Sequence, residues 1–244
     1  MIRFIICGSF AVLFLVGSLP ILLIEFLIGI FFPDVRARSC QFIIKWVFKA
    51  LLFLAGTHVD FIGEENVPKD RAVLYTPNHR SIFDVIITYA RCPRQTGYVA
   101  KKETSYIPIF SIWMAFMNCT FLDRNDLRKG LKVIKHCIDL VNDGKSITIF
   151  PEGTRNKGDD LLLPFHQGSF KIAEKTGCPI IPVAISNSQE IFEAHLPLVK
   201  STHVYVEYCK PIEVSEMDKS HYKEISSMVS SEIEEALNRH KLTP

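Results

Sequence analysis

A histidine and an aspartate five residues apart, His79 and Asp84, are the residues of this chain whose types and spacing best suit acid–base chemistry. They lie in residues 78–84, which follow an apolar run at 72–75 and the pair Thr76-Pro77. The residue before a proline favours extended backbone, so the sequence predicts a strand, a turn and then a helix. If Asp84 binds one ring nitrogen of His79, the other nitrogen is free to act as a base.

The same residues also fit a purely structural role. Ser81, with Asp84 three residues later and an apolar run after it, matches a helix N-terminal capping pattern. A carboxylate in the first helical turn also complements the helix dipole. In that interpretation Asp84 caps the helix and His79 is an ordinary turn residue. For the pair alone the structural interpretation is favoured, so the rest of the chain must decide.

Two further turns at predicted strand ends carry polar residues. One ends at Arg124, and the other contains Glu152, Gly153, Thr154 and Arg155. Ligands of α/β sheets bind outside the carboxyl ends of the strands, so these turns are expected to converge with the His79 turn. The guanidinium fork matches phosphate oxygens, which suits the two arginines to an anionic headgroup.

The pair Lys101-Lys102 is a further candidate for binding an anionic headgroup. Each of these cations has a structural alternative as well. Arg124 has Asp123 and Asp126 as neighbours for an ion pair, Arg155 has the aspartates at 159 and 160, and the two lysines suit lipid headgroups.

Composition and motif searches exclude several other classes of protein. The chain of 244 residues suits one domain with a sizeable core, and its net charge of +2 gives little reason to expect nucleic acid as a partner. The seven cysteines are scattered, which disfavours a zinc site or a disulfide scaffold and fits reduced thiols in a cytosol-facing domain. The sequence contains no His-Glu-x-x-His metal motif and no Gly-x-Ser-x-Gly hydrolase elbow. No metal site is therefore predicted.

The N-terminal segment is strongly apolar. Residues 4–32 carry a single charge, Glu25, and the 21 uncharged residues at 4–24 are long enough to cross a bilayer core. Gly17 and Pro20 interrupt the run, so the segment is either one tilted span or two shorter helices that enter one leaflet and return. A cleaved signal peptide is a third alternative, which the length of the run and the lack of a small-x-small cleavage pattern disfavour.

Basic residues alternate with aromatic and aliphatic ones at 33–52. This composition is typical of a segment at a membrane interface, and a buried first helix of the domain is the alternative. We therefore divide the chain into a membrane anchor with an interfacial helix at 1–55 and a catalytic domain at 56–244.

Predicted strands and helices alternate through the rest of the chain, which indicates an α/β domain. A proline in the strand predicted at 180–185 suggests an edge or irregular position. Strands are predicted at 59–62, 72–75, 97–100, 119–122, 146–150, 180–185 and 203–208. Helices are predicted from the 78–84 stretch to about residue 92, and at 106–117, 127–141, 170–175 and 220–239.

Four motifs occur in a fixed order along this domain. They are Asn-His-x-Ser-x-x-Asp at 78–84, Phe-Leu-Asp-Arg at 121–124, Phe-Pro-Glu-Gly-Thr-Arg at 150–155 and the proline-containing strand at 180–185. Together they resemble the four blocks of the glycerolipid acyltransferase family, most closely its 1-acyl-glycerol-3-phosphate acyltransferases. The resemblance implies a glycerol-3-phosphate acyltransferase-like domain, with a mixed α/β sheet, flanking helices and a membrane-associated N-terminal helical segment. A two-helix monotopic anchor in some members suits the break at Pro20.

The resemblance also implies roles for individual residues. It makes His79 the general base and Asp84 its orienting partner, and it attaches no role to Arg80. The residues expected to hold the phosphorylated acceptor are Arg124, Glu152, Gly153 and Arg155, and we add Thr154 and Lys101 to this set.

The implied reaction moves an acyl chain from acyl-CoA or acyl-carrier protein to the sn-2 hydroxyl of 1-acyl-glycerol 3-phosphate, forming phosphatidic acid in phospholipid biosynthesis. We expect no cofactor beyond the acyl donor, membrane lipid as a partner, and a location at the inner or plasma membrane or the endoplasmic reticulum with the catalytic domain facing the cytosol. The alternatives are an acyltransferase acting on glycerol 3-phosphate or another lysophospholipid, a non-catalytic lipid-binding module at the membrane, and a hydrolase.

Overall fold

The computed structural model describes residues 1–240, in which strands and helices alternate after a group of three N-terminal helices. These helices are α1 (Ile2–Gly17), α2 (Leu19–Phe31) and α3 (Pro33–Ala55). The strands are β1 (His58–Ile62), β2 (Leu74–Pro77), β3 (Thr96–Lys101), β4 (Thr120–Leu122), β5 (Ser146–Thr148), β6 (Ile180–Ser186) and β7 (His203–Tyr208). The remaining helices are α4 (Phe83–Arg91), α5 (Phe110–Phe116), α6 (Leu127–Asn142), α7 (Lys171–Thr176) and α8 (Ile225–Arg239).

The strands form one mixed sheet in the order β1-β7-β6-β2-β5-β3-β4. Neighbouring strands run parallel, except that β6 and β7 are antiparallel. The α/β fold with a mixed sheet and flanking helices that the sequence predicts is thus confirmed. Strand β2 lies at the centre of the sheet, between β5 and β6, so the turn that follows it opens at the middle of one sheet edge.

Helices cover both faces of the sheet, and alternate residues of the central strands point to opposite sides. On one face Leu74 and Ile180 pack in a core that includes residues of α6, α7 and α8. On the other face Tyr75 and Ile181 pack in a core that includes residues of α3 and α4. All four residues of β2 are buried, which is typical of a central strand covered on both sides.

Strand β6 is an interior strand, so the edge position predicted from its proline is wrong, although the irregular position predicted as the alternative is present. Ile180 pairs with Ile212 and Val183 pairs with Tyr208. Between these two pairs lie two residues on β6 and three on the opposing segment at 208–212, and this extra residue forms a β-bulge. Pro182 lies in this bulge, where a missing N–H removes no regular bond of the ladder.

Some element boundaries differ from the predicted ones. Strand β2 begins two residues later than predicted, at Leu74. Helix α5 covers only part of the predicted segment, because Pro108 holds Ile107 in extended backbone and Ile109 has a left-handed φ of 64°. The C-terminal helix α8 begins at Ile225, after a 3-10 segment at Lys219–Glu224.

Helices α1 and α2 meet at Ser18 with a bend of 49°. No single helix within residues 1–240 is both long and apolar enough to cross a membrane, and α1 and α2 meet that requirement only as a bent pair. The break has a tertiary partner, because the indole N–H of Trp113 donates to Ser18 Oγ at 3.0 Å. Glu25 is buried and accepts a hydrogen bond from Ser39 Oγ, so this charge faces α3 instead of the surroundings.

Helix α3 has one face packed on the domain and another face exposed. Gln41 Nε2 donates to the carbonyl of Arg94 at 2.7 Å, and Lys45 Nζ donates to the carbonyl of Cys92 at 2.6 Å, just beyond the end of α4. The exposed face carries large apolar side chains, among them Phe42, Trp46 and Phe53. The helix is therefore in part a buried domain helix, one of the two alternatives weighed from the sequence, and the role of its exposed face at a membrane interface stays a prediction.

Candidate active site

The turn after β2 places His79 against Asp84. His79 Nδ1 lies 2.8 Å from Asp84 Oδ2, and the same oxygen accepts the backbone N–H groups of Arg80 at 2.8 Å and Ser81 at 2.7 Å. Asp84 is completely buried, whereas the His79 side chain is 17% exposed. With Nδ1–H donated to the carboxylate, Nε2 carries the lone pair, and it has no hydrogen-bond partner within residues 1–240. This nitrogen is free to take a proton.

The capping interactions expected at the start of α4 are also present. The N–H of Phe83 donates to Ser81 Oγ at 3.0 Å, while the N–H of Ser81 donates to Asp84 Oδ2. The first helical residue is Phe83, so the helix begins within one residue of the predicted position. Asp84 thus closes the helix start and binds the imidazole with one carboxylate oxygen, and the two interpretations of the sequence are compatible.

The turn after β5 fixes the backbone and ring of His79 from a second side. The His79 N–H donates to Glu152 Oε1 at 2.6 Å, and the His79 carbonyl accepts the N–H of Asn156 at 2.7 Å. The imidazole stacks on the ring of Phe150 with centroids 4.1 Å apart. Strands β2 and β5 are neighbours, which explains why residues 73 positions apart meet here.

Glu152 has a structural part in this arrangement. Its second oxygen accepts the N–H of Leu163 at 2.9 Å, so both carboxylate oxygens are bonded to backbone. Burial raises the pKa of Glu152, while the N–H donors of Leu163 and His79 act in the opposite direction. The carboxylate thus joins two loops, and the contact with a phosphorylated acceptor that the resemblance implies for Glu152 stays a prediction.

Gly153 brings the second and third turns together. It has a φ of 72°, and a Cβ added to it would lie 2.9 Å from His166 Cδ2 and 3.7 Å from Arg124 Cζ. The imidazole of His166 and the guanidinium of Arg124 therefore both lie close to this glycine. Partial burial lowers the pKa of Arg124, but an arginine pKa starts so high that the group stays charged at neutral pH.

The ion pairs weighed for Arg124 from the sequence do not form. Lys102 Nζ binds Asp123 at 2.9 Å, and Asp126 is bound by Lys129 at 3.2 Å. The guanidinium of Arg124 has no hydrogen bond or ion pair to another residue within the described range 1–240. The second turn thus presents its cation at the same sheet edge as His79.

Arg155 pairs with a residue that sequence reasoning missed. Its Nη1 donates to Glu193 Oε1 at 2.9 Å, and neither Asp159 nor Asp160 takes part. Thr154 beside it is exposed. Lys101 is also exposed, and its Nζ lies 3.5 Å from Glu103 Oε1. In the sheet Lys101 pairs with Leu122, which lies two residues before Arg124.

Two residues of the first motif make contacts that the sequence did not indicate. Asn78 binds the backbone of Ile185 in β6, and the guanidinium of Arg80 donates to the carbonyls of Gly158 and Asp160. Asn78 belongs to the first motif, so its presence there was a signal. His166 and Glu193 lie outside the motifs, and only the tertiary structure brings them to the site.

No group of three or more histidine, cysteine or acidic side chains in residues 1–240 is arranged to bind a metal ion. All seven cysteines are free thiols. The His79–Asp84 pair is suited to proton transfer from a bound hydroxyl group, and cations lie nearby for an anionic substrate.

Comparisons with known proteins agree with the motifs. A family model described as acyltransferase matches residues 58–186. The 1-acyl-sn-glycerol-3-phosphate acyltransferase of Borreliella burgdorferi is 32% identical over 197 residues, which cover 80% of this chain and 77% of that protein. The enzyme of the same name from Haemophilus influenzae is 34% identical over 170 residues, covering 67% of this chain and 69% of that protein.

The fold has a close counterpart among solved structures. The crystal structure of the 1-acyl-sn-glycerophosphate acyltransferase PlsC from Thermotoga maritima superposes with a TM-score of 0.83 at 22% sequence identity. The superposition covers 100% of this chain and 96% of that protein, so the three N-terminal helices are part of the shared architecture.

Proposed function

This chain belongs to the acyltransferase family, and from that premise we propose that it acylates the sn-2 hydroxyl of 1-acyl-glycerol 3-phosphate to form phosphatidic acid. The donor is acyl-CoA or an acyl-carrier protein. The observation that carries the proposal is the His79–Asp84 pair, whose free Nε2 lies at the same sheet edge as Arg124 and Arg155. The names of the bacterial relatives support lysophosphatidic acid as the acceptor.

The pair His79 and Asp84 accounts for the chemical step. Nε2 of His79 takes the proton of the acceptor hydroxyl while the oxygen attacks the thioester carbonyl of the donor. The buried carboxylate of Asp84 stabilises the imidazolium that forms and keeps Nδ1 protonated. An ester C–O bond forms, the C–S bond breaks, and the proton on His79 passes to the departing thiolate. The enzyme supplies no covalent nucleophile, because the acceptor provides the attacking oxygen.

Cations near this pair bind the acceptor's phosphate in the proposal. Arg124 and Arg155 offer planar donors for phosphate oxygens, and the exposed Lys101 and Thr154 add an ammonium group and a hydroxyl. Gly153 has a positive φ and no side chain, so the guanidinium of Arg124 can lie close to it without a clash. Glu152 acts indirectly, by fixing the backbone of His79.

We further propose that the enzyme works at a membrane surface, since its lipid substrate is held there. Large apolar side chains are exposed along α1 and α2, including Leu13 and Leu23. The reduced cysteines suit a catalytic domain on the cytosolic side of the inner or plasma membrane or the endoplasmic reticulum.

An acceptor panel on the purified enzyme tests the function. Lysophosphatidic acid, glycerol 3-phosphate, lysophosphatidylcholine and no acceptor are each incubated with acyl-CoA and with acyl-carrier protein, and thiol release and ester product are both measured. We expect product with lysophosphatidic acid and none with His79→Ala, which should remain folded. Preference for another acceptor would replace lysophosphatidic acid as the assigned substrate. Thiol release without any acceptor would indicate a hydrolase, and no thiol release at all would indicate a binding module.

Substitution of Arg155 tests the phosphate assignment. Because a guanidinium that binds the acceptor's phosphate does not contact the donor, Arg155→Ala should raise KM for lysophosphatidic acid about 10-fold or more and leave KM for the donor nearly unchanged. Arg71→Ala is the matched control, since Arg71 pairs with Glu213 at the other end of β2. Equal changes in both Michaelis constants would contradict the assignment.

A further inference from the structure

Glu193 connects two parts of the site that come from different loops. Its carboxylate accepts three hydrogen bonds: from Ser81 Oγ to Oε2 at 2.6 Å, from the N–H of Ile82 to Oε1 at 2.8 Å, and from Arg155 Nη1 to Oε1 at 2.9 Å. The side chain is 18% exposed. Glu193 lies in the segment after β6, 112 residues from Ser81, and belongs to none of the four motifs.

The contacts to Ser81 and Ile82 fix the start of α4. Ile82 immediately precedes the first residue of the helix, and Ser81 Oγ accepts the N–H of Phe83 while it donates to Glu193. Asp84 lies in this first turn and binds His79. Displacing the turn would therefore move the carboxylate that orients the catalytic imidazole.

The contact to Arg155 fixes a cation without using all of its donors. Only Nη1 of the guanidinium is bonded to Glu193, and an arginine has five N–H groups. The remaining groups are available to a phosphate, and their direction is set because Oε1 also accepts the N–H of Ile82. One carboxylate thus relates the orientation of Arg155 to the position of the helix that carries Asp84.

We propose that Glu193 is a positioning residue, which aligns Arg155 for the phosphate of the acceptor and holds the first turn of α4 for the His79–Asp84 pair. It touches neither the reacting atoms nor the donor. The inference rests on the proposed function, because it assigns the Arg155 contact to an acceptor phosphate.

Two substitutions separate the two tasks of Glu193. Glu193→Ala removes all three bonds, and we expect KM for lysophosphatidic acid to rise about 5- to 10-fold and kcat to fall about 10-fold, with KM for acyl-CoA within about 2-fold of wild type. Glu193→Gln keeps the oxygen that accepts from Ile82 and places an NH2 group at Ser81 Oγ, while the ion pair with Arg155 is reduced to a neutral hydrogen bond. It should therefore recover most of kcat while KM for lysophosphatidic acid stays raised.

Glu190→Ala is the matched control. Glu190 lies in the same segment and pairs with His195 at 2.9 Å, so its loss tests whether any ion pair of this loop has the same effect. We expect its kinetic constants to match wild type. If Glu193→Ala and Glu193→Gln both behave like Glu190→Ala, at equal melting temperatures, the inference is wrong.

A spectroscopic measurement makes the test independent of turnover. The side-chain ¹⁵N signals of His79, assigned by their loss in His79→Ala, should shift in Glu193→Ala and stay unchanged in Glu190→Ala. A wild-type protein that acylates no phosphorylated acceptor contradicts the proposed function. If the wild-type enzyme does acylate lysophosphatidic acid, but the Glu193 variants show unshifted His79 signals and unchanged kinetic constants, only the role of Glu193 is contradicted.

Discussion

At the residue scale, Asp84 Oδ2 accepts three hydrogen bonds, from the His79 ring and from the backbone of Arg80 and Ser81. The capping pattern predicts a carboxylate at Asp84 to accept the N–H of Ser81, and the acid–base hypothesis predicts one there to bind His79. A single oxygen, Oδ2, makes both contacts. A rigid helix start is an advantage for catalysis, because together with the Phe150 ring it holds the imidazole in one orientation.

Asp84→Asn tests whether the charge of this carboxylate is needed. The amide oxygen would take the place of Oδ2, because the N–H groups of Arg80 and Ser81 require an acceptor there, and the negative charge that stabilises the imidazolium would be lost. We expect kcat to fall about 10²-fold or more with little change in either Michaelis constant. Asp159→Asn, at an exposed position, is the control for loss of one negative charge. Retention of more than a tenth of wild-type kcat would argue against an orienting role for the carboxylate.

Gly153→Ala tests the packing between the second and third turns. The added methyl group would lie 2.9 Å from His166 Cδ2 in a backbone with a φ of 72°, so the side chains around Arg124 must move. KM for lysophosphatidic acid should rise about 5-fold or more, in addition to a stability loss of about 1 kcal/mol from the left-handed backbone. Gly144→Ala is the control, because Gly144 has a φ of 78° and nothing within 4 Å of its added Cβ. Equal KM values in the two variants would contradict the packing argument.

The motif residues of the site could be predicted from the sequence, and Glu193 and His166 could not. Asp84 follows His79 by five residues on one turn, so local spacing suffices to pair them. Glu193 meets Ser81 across 112 residues, and that contact depends on how the segment after β6 returns to the sheet edge. The spacing of neighbouring residues in the sequence does not predict a contact of this kind.

At the element scale, the position of β6 shows how a local rule can be overridden. A proline usually marks an edge strand because it cannot donate to the ladder. Here the ladder with β7 contains an extra residue between Tyr208 and Ile212, and Pro182 lies opposite it. The bulge depends on the register of a strand about 25 residues further on, which the proline's own neighbours do not determine.

Asn78 joins β6 to the turn after β2, and its removal should destabilise the sheet. Oδ1 accepts the N–H of Ile185 at 2.7 Å, and Nδ2 donates to the Ile185 carbonyl at 3.0 Å in a buried environment. Asn78→Ala leaves both backbone groups without partners, so we expect the free energy of unfolding in urea to fall by about 2–4 kcal/mol. Asn66→Ala, which loses one partly buried bond to Tyr208, should cost about 1 kcal/mol. A loss no greater than that of Asn66→Ala would show that Asn78 does not hold the two elements together.

Glu207 at β7 should make the attachment of α8 dependent on pH. Burial opposes its ionisation, but hydrogen bonds from Arg239 and His240 prevail and hold the pKa of Glu207 below its usual value. A lowered folded-state pKa gives stability that is present above the unfolded pKa and is lost as the pH falls through the folded one.

Glu207→Gln should therefore lower the free energy of unfolding by about 1 kcal/mol near pH 7 and by much less near pH 3. Urea unfolding at both values measures the difference. Glu216→Gln, at an exposed position, controls for the loss of a carboxylate. A difference that persists undiminished in acid would show that the charge of Glu207 is not its source.

At the scale of the whole molecule, exposed apolar surface is concentrated in the three N-terminal helices. Leu13 is 71% exposed, Leu23 62% and Phe53 83%. Exposed large apolar side chains are fewer in the rest of the described chain, where Leu127 and Leu131 of α6 are the main examples in a helix that covers the sheet. Exposed apolar surface of this extent marks an interaction site, and a lipid substrate makes a membrane the expected partner.

The sequence predicted an apolar anchor here but left its geometry open. The bend between α1 and α2 occurs at Ser18, within the region that the sequence indicated. Its tertiary support comes from Trp113, 95 residues away, so helix propensity alone could not decide between a straight span and a bent pair.

The double substitution Leu13→Glu with Leu23→Glu should weaken binding to lipid vesicles. Each exposed leucine that enters lipid contributes about 1.5 kcal/mol or more, so two charges should lower the partition coefficient about 100-fold. Co-sedimentation with vesicles of phosphatidylcholine and phosphatidylglycerol measures this. Met228→Glu on α8, where the methionine is 39% exposed, should bind like wild type. Unchanged binding of the double variant would show that α1 and α2 do not contact the lipid.

The bonds from Gln41 and Lys45 to the carbonyls of Arg94 and Cys92 have a mechanical consequence. They tie the end of α4 to α3, while the other end of α4 carries the catalytic turn. The nine residues of α4 rise about 13 Å along its axis. Helix α4 is therefore a spacer of fixed length between α3 and His79. If α3 rests on a lipid monolayer, a tilt of α3 turns α4 with it as a rigid body. The tilt then sets how far an acceptor headgroup must rise from the monolayer before its hydroxyl reaches Nε2 of His79.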